Sequence, residues 1–115
     1  MGVLPSQSIS KLILEKIILA DSKIETSQIQ PASLDLRLGK IAWRIRASFL
    51  TGKNKDVSDL LDEFKMHQID MMEGAVLEKG CVYLIPIEET LNLPADLCAI
   101  ANAKSSTGRL DLLTR

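Results

Sequence analysis

The chain has 115 residues, 14 Lys and Arg against 15 Asp and Glu, and a formal charge of −1, without the basic excess of a nucleic-acid binder. Aromatic residues make up 3% of it, too few for base stacking, so polymeric nucleic acid is not an expected partner. The opening residues lack a charged leader region, and the most apolar stretch, Leu12 to Ala20, is interrupted by Glu15 and Lys16 and is too short to span a bilayer, so a cytoplasmic location with no membrane partner is expected.

The first element is a helix. Ile9, Leu12, Ile13, Ile17 and Ala20 lie on one face at helical spacing, Ser6 after Pro5 is placed to cap the start, and Asp21 and Ser22 end it. From Leu34 the period changes to two: Leu34, Leu36 and Leu38 share one face and Ser33, Asp35 and Arg37 the other, which predicts a half-buried strand. Gly39-Lys40 reads as a turn into a second strand, with Ile41, Trp43 and Ile45 alternating with Ala42, Arg44 and Arg46, and the two strands are expected to pair as a hairpin. After a polar break at Lys53 to Asp56, the spacing of Val57, Leu60, Leu61 and Phe64 predicts a short inserted helix capped by Asp56. Strands are then expected at Gln68 to Met72, Ala75 to Glu78, Cys81 to Ile87, Leu97 to Ala101 and Leu110 to Leu113, with a turn at Lys79-Gly80. Pro86 places the Cys81 to Ile87 strand at an edge or bends it. Many short strands separated by Gly and Pro turns indicate a mainly β barrel or sandwich rather than an α/β sheet.

Chemistry concentrates at Lys104-Ser105-Ser106-Thr107-Gly108-Arg109, directly after the apolar run Leu97 to Ala101. Lys104 is a mobile point charge and Arg109 a planar two-pronged donor; the hydroxyls can donate to phosphate oxygens, and Gly108 lets a ligand approach the backbone. The order differs from the G-x-x-x-x-G-K-[ST] loop of ATPases. Taken alone, such a segment is also an ordinary solvated turn.

A second segment changes that balance. Gln30-Pro31-Ala32-Ser33-Leu34-Asp35-Leu36-Arg37-Leu38-Gly39 resembles the early Ser/Thr-x-Asp-x-Arg-Leu-Gly strand of dCTP deaminases and related dUTPases, and Lys104 to Leu110 resembles their later Arg/Lys-Ser-Ser-x-x-Arg-Leu loop. Leu93-Pro94-Ala95-Asp96-Leu97 is similar to the Leu-Pro-x-Asp/Glu-Leu turn that leads into that loop, so three landmarks recur in order over residues 5–115. The opening residues and the form of the first motif are closer to the long, two-module bacterial version. The resemblance implies a distorted jelly-roll or β-barrel of the dUTPase type, carrying here the N-terminal and inserted helices, and a homotrimer with active sites where subunits meet.

The activity it implies is hydrolytic deamination of dCTP to dUTP and ammonia. By position, Ser105 and Arg109 look like the residues that orient water and the pyrimidine edge, with Lys104, Ser106, Thr107 and Gly108 completing the triphosphate-binding loop. Lys104 stands where short forms commonly carry Arg, keeping the charge and losing the fork. Asp35 is a further candidate, since the dUTPase branch keeps an aspartate near its active centre; alternation alone also predicts an acidic residue on a solvent face there, and the same holds for Arg37 and Ser33. The family's catalytic glutamate comes later than any residue here, so the chain is expected to be the N-terminal portion of a longer enzyme and inactive alone. A dUTP pyrophosphatase, a bifunctional enzyme and a non-catalytic nucleotide-binding or assembly module remain alternatives.

Metal chemistry at the reacting carbon is not expected. Cys81 and Cys98 lack paired C-x-x-C spacing and read as buried free thiols, and His67, the single histidine, is followed by Gln68 and Ile69 rather than x-Glu, so the zinc arrangement of other cytosine deaminases is missing. His67 reads instead as a surface or helix-end residue. Magnesium is expected to arrive with the triphosphate, whose hard oxygens favour it.

Overall fold

The computed structural model describes residues 2–114 and divides into two compact units, one of Met1–Leu36 with Glu89–Arg115 and one of Arg37–Glu88. The architecture is the expected mainly antiparallel β with an N-terminal helix and an inserted one, although among the described residues the strands form two separate small sheets and no closed barrel.

The first unit opens with α1 (Ser6–Leu14), which buries Ile9 and is capped by Pro5 without a side-chain bond; Ser6 is its first helical residue, not its cap. The helix stops well short of Asp21. Lys16 takes a left-handed φ of 58°, its N–H reaches the Ile13 carbonyl, and the Ile17 N–H reaches that of Leu12. This pair of bonds is a Schellman closure, which satisfies the last carbonyls and turns the chain out of the helix. Ile17 and Ala20 therefore leave the helical face, and β1 (Ile18–Ala20) pairs antiparallel with β5 (Glu89–Leu91), burying Ile18. A left-handed lysine is strained where glycine is not, so Lys16→Gly is expected to stabilise the unit by about 0.5–1 kcal/mol, read as a higher urea midpoint at unchanged slope.

In the second unit, β2 (Ile41–Ile45) is central, flanked by β3 (Lys65–Asp70) and β4 (Val82–Leu84). Its Ala42 and Ile45 are buried, as is Leu60 of α2 (Val57–Phe64), whose N-terminus is closed by a capping box between Asp56 and Asp59. The ring of Phe64 stacks on Phe49 at 5.1 Å, with Arg46 over it. β4 lies at an edge of its sheet, one of the two outcomes expected from Pro86, but it ends at Leu84 and does not run on through Pro86 to Ile87.

Several sequence-based elements are replaced. Residues 34–38 form no regular strand and no hairpin with β2: the segment bonds first to the chain at Gln28 and Ile29 and then to Pro86 and Glu88, so no single ladder can extend. Leu34 is half-buried, but from Asp35 onward the alternation runs with the covered side reversed, since Leu36 and Leu38 are exposed while Asp35 and Arg37 are half-buried. Ala75–Glu78 and Leu97–Ala101 run without strand pairing. Cys98 is exposed and Cys81 half-buried; both are free, as expected, but neither is buried, since Cys98 lies in a run without strand pairing and Cys81 stands just ahead of the edge strand β4. His67 lies within β3 opposite Arg44; it is exposed, and not at a helix end.

Candidate functional site

The Lys-Ser-Ser-Thr-Gly-Arg segment forms a helical turn, α3 (Ser105–Gly108), with Lys104 as its cap residue. Its closure explains why Leu110 to Leu113 is not a strand. Asp111 adopts φ 61°, its N–H bonds to the Gly108 carbonyl, and the Leu112 N–H reaches Thr107, repeating the Schellman pattern at the end of α1. Aspartate tolerates that conformation better than most side chains.

Ser105, Ser106, Gly108 and Arg109 are exposed and Thr107 is half-buried. Among the described residues, neither serine hydroxyl of the turn makes a hydrogen bond and the Arg109 guanidinium has no ion-pair partner, so three donors of the loop are uncommitted. Lys104 differs. Its Nζ lies 2.7 Å from Asp35 Oδ2, which joins the two segments singled out in the sequence across 69 residues of chain.

Asp35 is held from several directions. Its N–H donates to the Gln28 carbonyl at 2.8 Å, its own carbonyl accepts Gln28 Nε2 at 2.9 Å, and its carboxylate accepts Gln30 Nε2 at 3.1 Å. The hydrogen bond from Lys104 holds the Asp35 carboxyl below its usual range; partial burial works against this, and the lysine charge and Gln30 reinforce it. Asp35 is thus an anion at neutral pH, and its bond to Lys104 is lost only as pH falls through that lowered value. Behind it, Gln28 ends a 3-10 turn (Thr26–Gln28) and gives its other amide hydrogen to Glu89 Oε1 at 2.8 Å, with Glu89 itself 3% exposed on β5.

Gln28 and Glu89 are the two residues that reasoning on the sequence missed. Gln28 had a readable signal, the Glu25-x-x-Gln28 spacing of a capping box, with the Glu25 N–H donating to Gln28 Oε1. Glu89 had none, standing beside Glu88 in a polar-looking run. Arg37 and Glu88 are 3.4 Å apart and belong to the second unit, not to this cluster. Ser33 is exposed and supplies its carbonyl to the Gln30 N–H, a turn contact. Among the described residues no three His, Cys, Asp or Glu side chains converge to hold a metal ion, and no helix is long and apolar enough to cross a membrane.

The pattern has relatives. Residues 1–115 match the model of the 2'-deoxycytidine 5'-triphosphate deaminase N-terminal domain. The chain is 33% identical over 120 residues to a dUMP-forming dCTP deaminase of Dictyoglomus turgidum, covering 96% of this chain and 58% of that one. A dUMP-forming dCTP deaminase of Methanobrevibacter smithii is 28% identical over 113 residues, with 96% of this chain and 57% of the relative covered. Among solved structures, the 2'-deoxycytidine 5'-triphosphate deaminase of Agrobacterium tumefaciens superposes with a TM-score of 0.90 at 50% identity, covering 96% of this chain and 33% of its own. The chain thus spans little more than half of the first two relatives and a third of the last.

Proposed function

Because this chain belongs to the family of dCTP deaminase N-terminal domains, we propose that the protein carrying it hydrolyses the 4-amino group of dCTP, and that α3 with Lys104 forms its triphosphate-binding loop. The observation that carries the reading is the meeting of Lys104 with Asp35 beside uncommitted Ser105, Ser106 and Arg109. In the reaction, water adds at C4 of the cytosine, N3 and then the amine are protonated, and ammonia leaves as the carbonyl of uracil forms. Ser105 and Arg109 orient the water and the pyrimidine edge, while Lys104 and Ser106, with Thr107 and Gly108, take the phosphates. Asp35 is a poor choice for the base that accepts the water's proton, since Lys104 holds it ionised with a lowered proton affinity. On this reading residues 1–115 bind nucleotide without turning it over. Magnesium enters on the triphosphate. The assembly is a cytoplasmic homotrimer.

Whether the product stays dUTP or proceeds to dUMP is a second question, and the dUMP-forming names of the first two relatives favour a further hydrolysis that releases pyrophosphate. Incubating the full-length protein with dCTP and magnesium, and following ammonia together with the nucleotides by chromatography, tests both. One ammonia per uracil nucleotide is expected, with dUMP and pyrophosphate appearing in step if the enzyme is bifunctional; dCTP left intact overturns the deaminase reading. A zinc-selective chelator is expected to leave the rate unchanged, and loss of activity restored by zinc would overturn the metal-free account.

A further inference from the structure

We propose that Asp35 is a positioning residue for nucleotide binding, one that acts on the triphosphate only through the ammonium of Lys104 and is itself held in place by the buried side chain of Gln28. The proposal rests on the reading of Lys104 as a phosphate ligand. The geometry runs as a chain from the interior outwards. Glu89 is 3% and Gln28 8% exposed, the Asp35 side chain is 22% exposed, and that of Lys104 is 60% exposed.

Gln28 has no freedom to turn its amide. Its Oε1 accepts the Glu25 N–H at 2.9 Å, and its Nε2 donates to the Asp35 carbonyl at 2.9 Å and to Glu89 Oε1 at 2.8 Å. Reversing the amide would set its oxygen against two acceptors, so one orientation is selected. The Gln28 carbonyl also receives the Asp35 N–H, and the backbone of Asp35 is therefore gripped on both sides. Gln30 then fixes the carboxylate from a third direction.

Lys104, by contrast, has a flexible four-carbon stem and a mostly exposed head. An ion pair this accessible to water contributes little to stability, so its effect is on where the ammonium rests. The ammonium has three N–H donors, and spending one on Asp35 leaves two for phosphate oxygens. Asp35 thereby lowers the ordering that Lys104 must undergo when nucleotide binds.

The test is a double-mutant cycle in the full-length protein, read as KM and kcat for dCTP, with Asp35→Asn and Lys104→Ala singly and together. Asp35→Asn is expected to raise KM roughly 3- to 10-fold with kcat within about twofold, and to add nothing once Lys104 is Ala. An Asp35→Asn effect of the same size in the Lys104→Ala background overturns the inference, as does a large fall in kcat at unchanged KM, which would place Asp35 on the reacting atoms. A ligand-free arm keeps the inference separate from the assigned substrate: carboxyl NMR titration of Asp35. Its pKa is expected to lie below 3.8 in the wild type and to rise in both Lys104→Ala and Gln28→Asn. A pKa that ignores either substitution refutes the chain of contacts whatever the protein does to dCTP. If the titration behaves as expected and dCTP is not bound, the nucleotide assignment fails while the contacts stand, and the positioning role is refuted for want of a ligand.

Discussion

Replacing Arg109 by Ala in the full-length protein is expected to remove most deamination of dCTP while leaving thermal unfolding unchanged. The side chain is exposed and makes no ion pair among the described residues, and the backbone bond of Arg109 to Ser105 survives in alanine, so the fold has little stake in the guanidinium. On the proposed function the nucleotide has a large one. A charge-assisted hydrogen bond is worth about 1.5–3 kcal/mol, which corresponds to roughly a 10- to 150-fold loss in kcat/KM if the contact is made in the transition state. Arg109→Lys is expected to recover part of it, because the charge returns without the planar fork. Lys104→Ala should differ in kind, raising KM more than it lowers kcat, as for a contact made equally to bound substrate and transition state. Wild-type turnover by Arg109→Ala would remove Arg109 from the site and, with it, the assignment of α3 as the phosphate loop.

What could be read from the sequence was what depends on neighbours along the chain. Helix α2 was legible because Asp56, Asp59 and the apolar spacing of Val57, Leu60, Leu61 and Phe64 are all local, and each does what local chemistry asks. The end of α1 was not. Ile17 to Ala20 continue an apolar pattern that suits either period, and the decision for a strand depends on β5, a partner some seventy residues later, together with a left-handed lysine that carries no mark in the sequence. Leu110 to Leu113 failed for the same reason, through Asp111. The run from Asp35 to Leu38 failed differently: hydrophobicity chose the leucine side as the covered one, whereas Gln28, Gln30 and Lys104 at Asp35 and Glu88 at Arg37 cover the polar side. The loop residues of the candidate site were singled out by their cations, hydroxyls and glycine, and family resemblance then gave them roles. Their supports, Gln28 and Glu89, were not, because a buried hydrogen bond between residues 61 positions apart leaves no periodic trace.

Gly39 closes the first motif, and Gly39→Val is expected to destabilise the second unit by about 1–3 kcal/mol, since a side chain forced into a filled space displaces backbone. A Cβ at this position would stand 2.8 Å from the Pro86 carbonyl oxygen, nearer than such contacts allow, and the neighbour is main chain with no rotamer to yield. That same oxygen accepts the Gly39 N–H at 2.7 Å, and the Glu88 N–H reaches the Arg37 carbonyl at 2.9 Å, so the two bonds that tie residues 37–39 to 86–88 would move together. Gly108 provides the contrast. It has no left-handed φ, and a methyl group added there would meet nothing within 4 Å among the described residues, so the fold makes no demand for glycine; on the proposed function, what glycine offers there is bare backbone to an approaching phosphate. Gly108→Ala is therefore expected to keep or slightly raise the urea midpoint while weakening dCTP binding. A Gly39→Val protein as stable as wild type would show that the Pro86 segment yields freely, and that the glycine ending the motif serves something other than this close approach.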